Sequence, residues 1–358
     1  MTQKTVITIA TLGGHSALEI FLGAKKNNFD TLAILQKGRE KTYTKYFQNL
    51  VDDYILVDKF EKLTSNKIVQ LLKSKNVIFI PHRYVQVYVD LTKFETIFGV
   101  KVYGNKYLLK YEEREGKFNQ YQILREGNID YPLRFKSPAQ IDRLVLVKTK
   151  EAVRNYERAF FFAGSYREYK AKSQELIDKG AIKKEDLRQA VIEEYLIGAQ
   201  VNFNFFHSSL TDNIELLGTD TRRQTNIDGL LRIPAVQQIE IGRNINPSYI
   251  ESGHCAVTVK ESLLEKAFDL AEKLVKASRK IVPPGIIGPF ALQTVVLPGP
   301  PKEKIVVFDV SLRIPGSPGS VFTPYSHYLY DKPVSFGERI AMEIKKAVTS
   351  KRLNEITT

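Results

Sequence analysis

Short apolar runs alternate with amphipathic helical stretches through the first third of the chain, and that alternation restricts it to a parallel α/β sheet. The segment Thr5–Ala10 reads as a buried strand, Leu12-Gly13-Gly14-His15-Ser16 as a tight turn, and Ala17–Asn27 as the helix fed by that turn. Thr31–Leu35, Tyr54–Val57 and Val77–Ile80 supply three further strands, with a helix over Ser65–Lys73 before the last. Strands separated by helices pair in parallel and are covered on both faces. Residues 1–99 are therefore expected to form one α/β lobe.

In an open parallel sheet, ligands gather beyond the carboxyl ends of the strands, where the loops Gly13–Ser16 and Pro81–Tyr84 meet. Each loop carries a histidine, His15 and His82. Helix N-terminal amides bind phosphate or carboxylate, and glycine lets the backbone come close to either. Taken alone, a Gly-Gly turn capped by Ser16 occurs more often as plain structure than as a ligand site.

Beyond Gly104 the pattern mixes helical runs (Leu108–Glu115, Glu168–Lys179) with strands at Leu144–Lys148, Gln200–His207 and Glu215–Gly218. A long amphipathic helix follows over Glu261–Val282. The strands Phe290–Leu297 and Lys304–Val310 are joined by Pro298-Gly299-Pro300-Pro301, which cannot continue a ladder. A last helix spans Phe336–Ser350.

Lys148 ends an apolar strand, and Ile192-Glu193-Glu194-Tyr195-Leu196-Ile197-Gly198 looks like an adenine-binding hinge. A strand-end lysine neutralises phosphate charge, while hinge backbone groups bond the adenine edge and a carboxylate holds ribose hydroxyls. Singly, Lys148 reads as a surface lysine and Glu193-Glu194 as an exposed helix end. Gln293 and Asp309 lie on the two strands flanking the proline-glycine turn, where antiparallel pairing brings oxygen ligands to one face. Asp309 stands in an apolar strand, where an unpaired carboxylate is costly. Arg313 is its candidate partner, or an anion contact. The run Asp220–Gly229 mixes charges with turn residues and reads as a polar loop.

Composition narrows the class. The 358 residues are 43% hydrophobic, enough for a sizeable core in two or three lobes. The net charge of +13 attracts polyanions, but without a compact nucleic-acid-reading motif it fits ATP and phosphorylated metabolites better than nucleic acid. A single cysteine, Cys255, excludes an internal disulfide or multi-cysteine metal site and is expected to pack as a small hydrophobe. No apolar run is long enough for a membrane span and no leader is visible, so a cytoplasmic protein is expected.

Five ordered motifs carry a family resemblance: Thr11–Leu18, Ile192–Tyr195, Asn226–Ala235, Asn246–Tyr249 and Val282–Phe290. Together they resemble the archaeal formate-dependent 5-formaminoimidazole-4-carboxamide ribonucleotide synthetases of the ATP-grasp superfamily. The resemblance implies a mixed α/β and α+β ATP-grasp fold. Its parts are a Rossmann-like lobe over 1–99, a first ATP-grasp lobe with the hinge over 100–200, and a second lobe with metal-binding strands over 201–358. It implies ATP- and formate-dependent formylation of 5-aminoimidazole-4-carboxamide ribonucleotide in purine (IMP) biosynthesis, through formyl phosphate, by a homotrimer or homohexamer.

Carried over residue by residue, the resemblance assigns ribonucleotide binding to His15, Tyr84 and His254. ATP falls to Lys148, Glu193, Glu194, Tyr195, Leu196, Ile197 and Asn226, and Mg²⁺ or Mn²⁺ to Gln293 and Asp309. The chain departs from the family pattern at Arg83-Tyr84 (usually Gly-Ser), in the glycine-free stretch Thr149–Arg158, at His254 (usually Asn), at Asp309 (usually Glu), and over Ile314–Gly319. Two other readings stand beside this one: a ligase joining a different carboxylate and amine, and a non-catalytic nucleotide-binding protein.

Overall fold

The computed structural model describes residues 7–114, 116–148, 160–188, 190–224, 227–241, 251–299 and 301–358. In the first lobe β1 (Thr8–Leu12), β2 (Asp30–Gln36), β3 (Asp53–Val57), β4 (Val77–Phe79) and β5 (Lys101–Val102) form a parallel sheet in the order β3-β2-β1-β4-β5. The strand β1 runs one residue, Leu12, into the stretch expected to turn, and β5 carries the sheet past residue 99. Helices Ala17–Lys26 and Asn66–Ser74 follow β1 and β3, as the alternation predicts.

A second, four-stranded antiparallel sheet contains β6 (Arg134–Phe135), β7 (Val145–Lys148), β8 (Phe160–Ala163) and β9 (Val191–Glu194), in the order β6-β9-β7-β8. Val145, Val147, Ala163 and Ile192 pack there against the helix Tyr166–Asp178 through Tyr169. Glu193 and Glu194 thus stand on a strand, not at a helix end. Lys106–Glu112 forms a 3₁₀ helix where an α-helical run was expected.

The third sheet is antiparallel: β10 (Ala199–Ser208), β11 (Asn213–Gln224), β12 (Glu251–Ala256), β13 (Gly288–Leu297) and β14 (Lys304–Ser311), ordered β12-β11-β10-β13-β14. Phe203, Phe205, Phe290 and Leu292 line its apolar face under the helix Leu264–Ile281. All four are fully enclosed, each contributing roughly 2–3 kcal/mol by burial. Asp220–Gln224, read from sequence as part of a loop, instead complete β11, because β12 supplies partners for their backbone groups. Cys255 is exposed rather than packed, since β12 is an edge strand and alternation turns that side chain outward. Among the described residues no helix is long and apolar enough to cross a membrane.

The helix Phe336–Thr349 returns to the first lobe and crosses Ala17–Lys26 at two glycines. A Cβ on Gly23 would lie 2.0 Å from the Gly337 carbonyl carbon, and one on Gly337 would lie 2.0 Å from Glu19 O. Glu19 itself is buried and accepts from Phe336 N at 2.8 Å. Burial raises its carboxyl to about 7 despite backbone hydrogen bonds from Phe336 and Gly337 that favour the anion. Gly337→Ala is expected to cost about 1–3 kcal/mol of stability through overpacking, measurable by urea titration, with no change in ligand affinities.

Candidate active site

Period-two alternation turns one face of the third sheet polar. Asn202 stands opposite Asp220 on one side and Gln293 on the other; Gln293 stands opposite Asp309, and Arg222 opposite His254. The intervening Phe203, Leu292 and Val310 point to the apolar core. Five strands therefore lay amides, carboxylates, an arginine and an imidazole across one surface. The first lobe faces it through His15, and the two enclose a solvent-open cleft of about 340 Å³.

His15 occupies the turn after β1 with φ 48, while Gly14 before it adopts φ 146. Gly14 is required twice over, because a Cβ there would sit 2.0 Å from the Tyr84 ring. The Ser16 hydroxyl donates to Pro315 O at 3.1 Å and lies 2.6 Å from His15 Nδ1. With its one proton given to Pro315, Ser16 accepts from Nδ1–H, so Nε2 carries the free lone pair. Desolvation of its ring in this crowded corner, reinforced by Arg313 and neighbouring histidines, holds His15 well below the usual histidine range, although the residue keeps an exposed edge. His15 is thus a neutral acceptor at neutral pH, not a cation waiting for phosphate.

The other histidine of this corner is structural. His82 is fully buried, accepts from Tyr84 N at 3.2 Å through Nδ1, and donates from Nε2 to Leu12 O at 2.8 Å. Burial lowers it to about 4. Tyr84 packs over Gly14 and against Phe60 and Tyr88, beside the cleft but not among its lining residues.

His254 is gripped from both sides: Nδ1 lies 2.6 Å from Asp220 Oδ1 and Nε2 2.7 Å from Glu251 Oε1. Burial lowers its affinity for a proton, but the two carboxylates outweigh burial and raise it to about 9. Asp220, fully buried, also accepts from Asn202 Nδ2 at 2.7 Å and Asn204 Nδ2 at 2.6 Å. Both N–H groups of His254 are thus committed to protein carboxylates, with the Ser317 hydroxyl 3.1 Å from Nδ1. A folded pKa above the unfolded value of about 6.5 means the His254 contribution is complete below pH 6.5 and disappears as pH rises through about 9. Between pH 6 and 9.5 the wild type is expected to lose roughly 2 kcal/mol relative to His254→Gln, as thermal melts across that window will read.

Gln293 and Asp309 share one face because a β-bulge between Gln293 and Thr294 shifts the register set nearer the turn, and each meets a guanidinium. Arg114 donates to Asp309 Oδ2 at 2.6 Å, and Arg222 donates to Gln293 Oε1. Arg313, the partner expected for Asp309, pairs instead with Glu112 at 3.4 Å. The two oxygens supply one anionic and one neutral hard donor. That set suits octahedral Mg²⁺ once phosphate and water oxygens complete the shell.

On the second sheet Lys148 donates to Glu193 Oε2, and the Tyr121 hydroxyl donates to Glu193 Oε1. Glu193, 2% exposed, therefore holds the lysine in place rather than offering oxygens to a ribose. Glu194 accepts from Arg143 at 3.3 Å. Beyond β9, Tyr195 N bonds Leu144 O; among the described residues the Leu196 N–H has no backbone partner, and Ile197 is exposed. Asn226 lies outside the described residues, as do Lys150, Arg154 and Arg158.

Sequence reasoning missed Asn202, Asn204 and Glu251, and placed Asp220 and Arg222 in a loop for a polar ligand or a surface turn. One signal was present: asparagines alternating with phenylalanines over Asn202–Phe205 mark a strand with one polar face.

Two family models match the chain, a "Domain of unknown function (DUF1297)" over residues 168–358 and a "Protein of unknown function (DUF1246)" over residues 9–135. The chain is 38% identical to the 5-formaminoimidazole-4-carboxamide-1-(beta)-D-ribofuranosyl 5'-monophosphate synthetase of Methanobrevibacter smithii, over 99% of this chain and 96% of that one. It is 39% identical to the enzyme of the same name from Methanocaldococcus jannaschii, with the same coverage. Among solved structures it resembles the IMP biosynthesis protein PurP from Thermococcus kodakaraensis, with a TM-score of 0.74 and 25% identity over 98% of this chain and 100% of that one. An N5-carboxyaminoimidazole synthetase from Staphylococcus aureus, complexed with ADP, shares the ATP-grasp fold at a TM-score of 0.61 and 12% identity, over 94% of this chain and 76% of that one.

Proposed function

We propose a function from one premise: this chain belongs to the family of 5-formaminoimidazole-4-carboxamide ribonucleotide synthetases, within the ATP-grasp ligases. It is an enzyme that forms a C–N bond, formylating 5-aminoimidazole-4-carboxamide ribonucleotide in purine biosynthesis. The observation that carries this reading to the site is the cleft in which the first-lobe His15 faces the polar surface of the third sheet.

In the proposed reaction a formate oxygen attacks the γ-phosphorus of ATP, ADP leaves, and formyl phosphate results. The 5-amine nitrogen then attacks the formyl carbon, phosphate leaves, and the nitrogen gives up one proton. ATP lies between the second and third sheets, with Lys148 on its phosphates and the Leu196 N–H at the adenine edge. Gln293 and Asp309 would hold Mg²⁺, which would neutralise phosphate charge. Arg114 and Arg222, now on those two oxygens, are placed to turn onto phosphate. His15 binds the ribonucleotide through Nε2, and His254 positions Asp220 and Glu251 around it.

The test is ADP release from ATP with formate and the ribonucleotide, omitting each in turn. Release that requires both supports the reading; ADP formed without the ribonucleotide, or none with all three present, overturns it. His15→Ala is expected to raise the ribonucleotide KM about 10–100-fold and leave the ATP KM within twofold, since Nε2 offers the ribonucleotide one hydrogen bond. An equal rise in both constants together with a lowered melting point assigns His15 to the fold alone.

A further inference from the structure

Among the described residues, one fully buried side chain of the cleft keeps a polar atom over once the protein's own hydrogen bonds are made. Asn204 is fully buried on β10, and its Nδ2 donates to Asp220 Oδ2 at 2.6 Å and toward Asn202 O at 3.5 Å. Both of those partners are acceptors, so the amide cannot be flipped: nitrogen faces Asp220 and oxygen faces away. That oxygen, Oδ1, is inaccessible to solvent and has no partner among the described residues. An unmet buried acceptor costs about 1–3 kcal/mol, so it marks a place where a ligand donor is expected. Asn204 lines the cleft with His15, and its cross-strand neighbours are the small residues Gly218 and Ala291.

We propose that Asn204 selects the 4-carboxamide of the ribonucleotide, its fixed amide oxygen accepting a carboxamide N–H. This rests on the functional reading above. A neutral amide oxygen can hold an N–H but cannot take a proton from an attacking amine, which leaves the carboxamide as its partner and the 5-amine to the His15 side of the cleft. The same atom rejects a 4-carboxylate, which would set its own lone pairs against Oδ1 with the buried Asp220 behind it. The cations of the cleft do not relieve that clash, because Arg313 is committed to Glu112, Arg222 to Glu251 on the β12 side, and His254 to Asp220 and Glu251. Asp220 thereby acts at one remove: it orients the amide that reads the substrate.

The test is calorimetric affinity for two ligands, the 5-amino-4-carboxamide ribonucleotide and its 4-carboxylate analogue, in wild type, Asn204→Leu and Asn202→Leu. Wild type is expected to prefer the carboxamide, and Asn204→Leu to lower that preference at least about tenfold by deleting the acceptor. Asn202→Leu also breaks a bond to Asp220 but leaves the acceptor in place, so it weakens both ligands by a common factor and keeps the ratio. Should Asn204→Leu fail to fold, Asn204→Ser retains a donor for Asp220, removes the amide oxygen, and must show the same lost preference. Equal weakening of both ligands by the Asn204 variants overturns the assignment while leaving the formylation reading intact. A wild type that binds neither ligand overturns that reading and the assignment with it.

Discussion

Asp309→Asn lowers ADP release by at least about a hundredfold under saturating substrates, because the change removes the one anionic protein oxygen among the two proposed to hold Mg²⁺. Side-chain volume is kept, and Gln293 opposite it on β13 is untouched. The charge has a second role, since Arg114 is half-buried against Asp309 at 2.6 Å. Loss of that pair leaves a guanidinium short of its counter-ion, so some loss of stability accompanies the loss of activity. Arg114→Met separates the two effects: it breaks the same pair but leaves the carboxylate for metal. The expected pattern is a lowered melting point in both variants, with a raised Mg²⁺ requirement in Asp309→Asn alone. Near-wild-type turnover of Asp309→Asn with unchanged Mg²⁺ dependence would remove the metal assignment.

What could be read in advance follows from how local each signal is. The Gly13-Gly14-His15 turn is legible because a strand, two glycines and an amphipathic helix follow one another within twenty residues, and only such a turn joins them. Gln293 and Asp309 are legible only in part: the proline-glycine turn announces that their strands pair, but its register alone would set Gln293 opposite Phe308, and the bulge between Gln293 and Thr294 that brings Asp309 opposite has no local signature. Asp220 and Arg222 were hidden because charged residues at the end of a strand have the composition of a loop until β12 is known to pair with them. The Arg114–Asp309 pair spans 195 positions, and no local pattern announces it. His254 is a similar case. Sequence offers an imidazole for a ligand, whereas folding brings Asp220 and Glu251 to both its nitrogens, so its charge is spent within the protein. Cys255 fails in the opposite sense, because a small apolar residue is buried only where its strand has a covered face.

Lys148→Met carries the largest expected change in stability and, with a second substitution, divides structure from function. Lys148 is 9% exposed and Glu193 2% exposed, and the lysine charge sits directly on Glu193 Oε2. Removing the lysine alone takes that charge from a buried carboxylate, which costs about 3 kcal/mol. Glu193→Gln in the same chain removes the carboxylate charge, and the new amide oxygen can still accept from the Tyr121 hydroxyl. Replacing both members of a buried pair is close to neutral where replacing one is not, so the double variant is expected to recover most of the lost stability in urea titrations. ATP binding follows a different rule. The phosphate contact proposed for Lys148 is absent from both variants, so the ATP KM stays raised more than about tenfold in each. If the double variant regains ATP affinity together with stability, Lys148 serves the sheet alone, and the phosphate charge must be met by other cations.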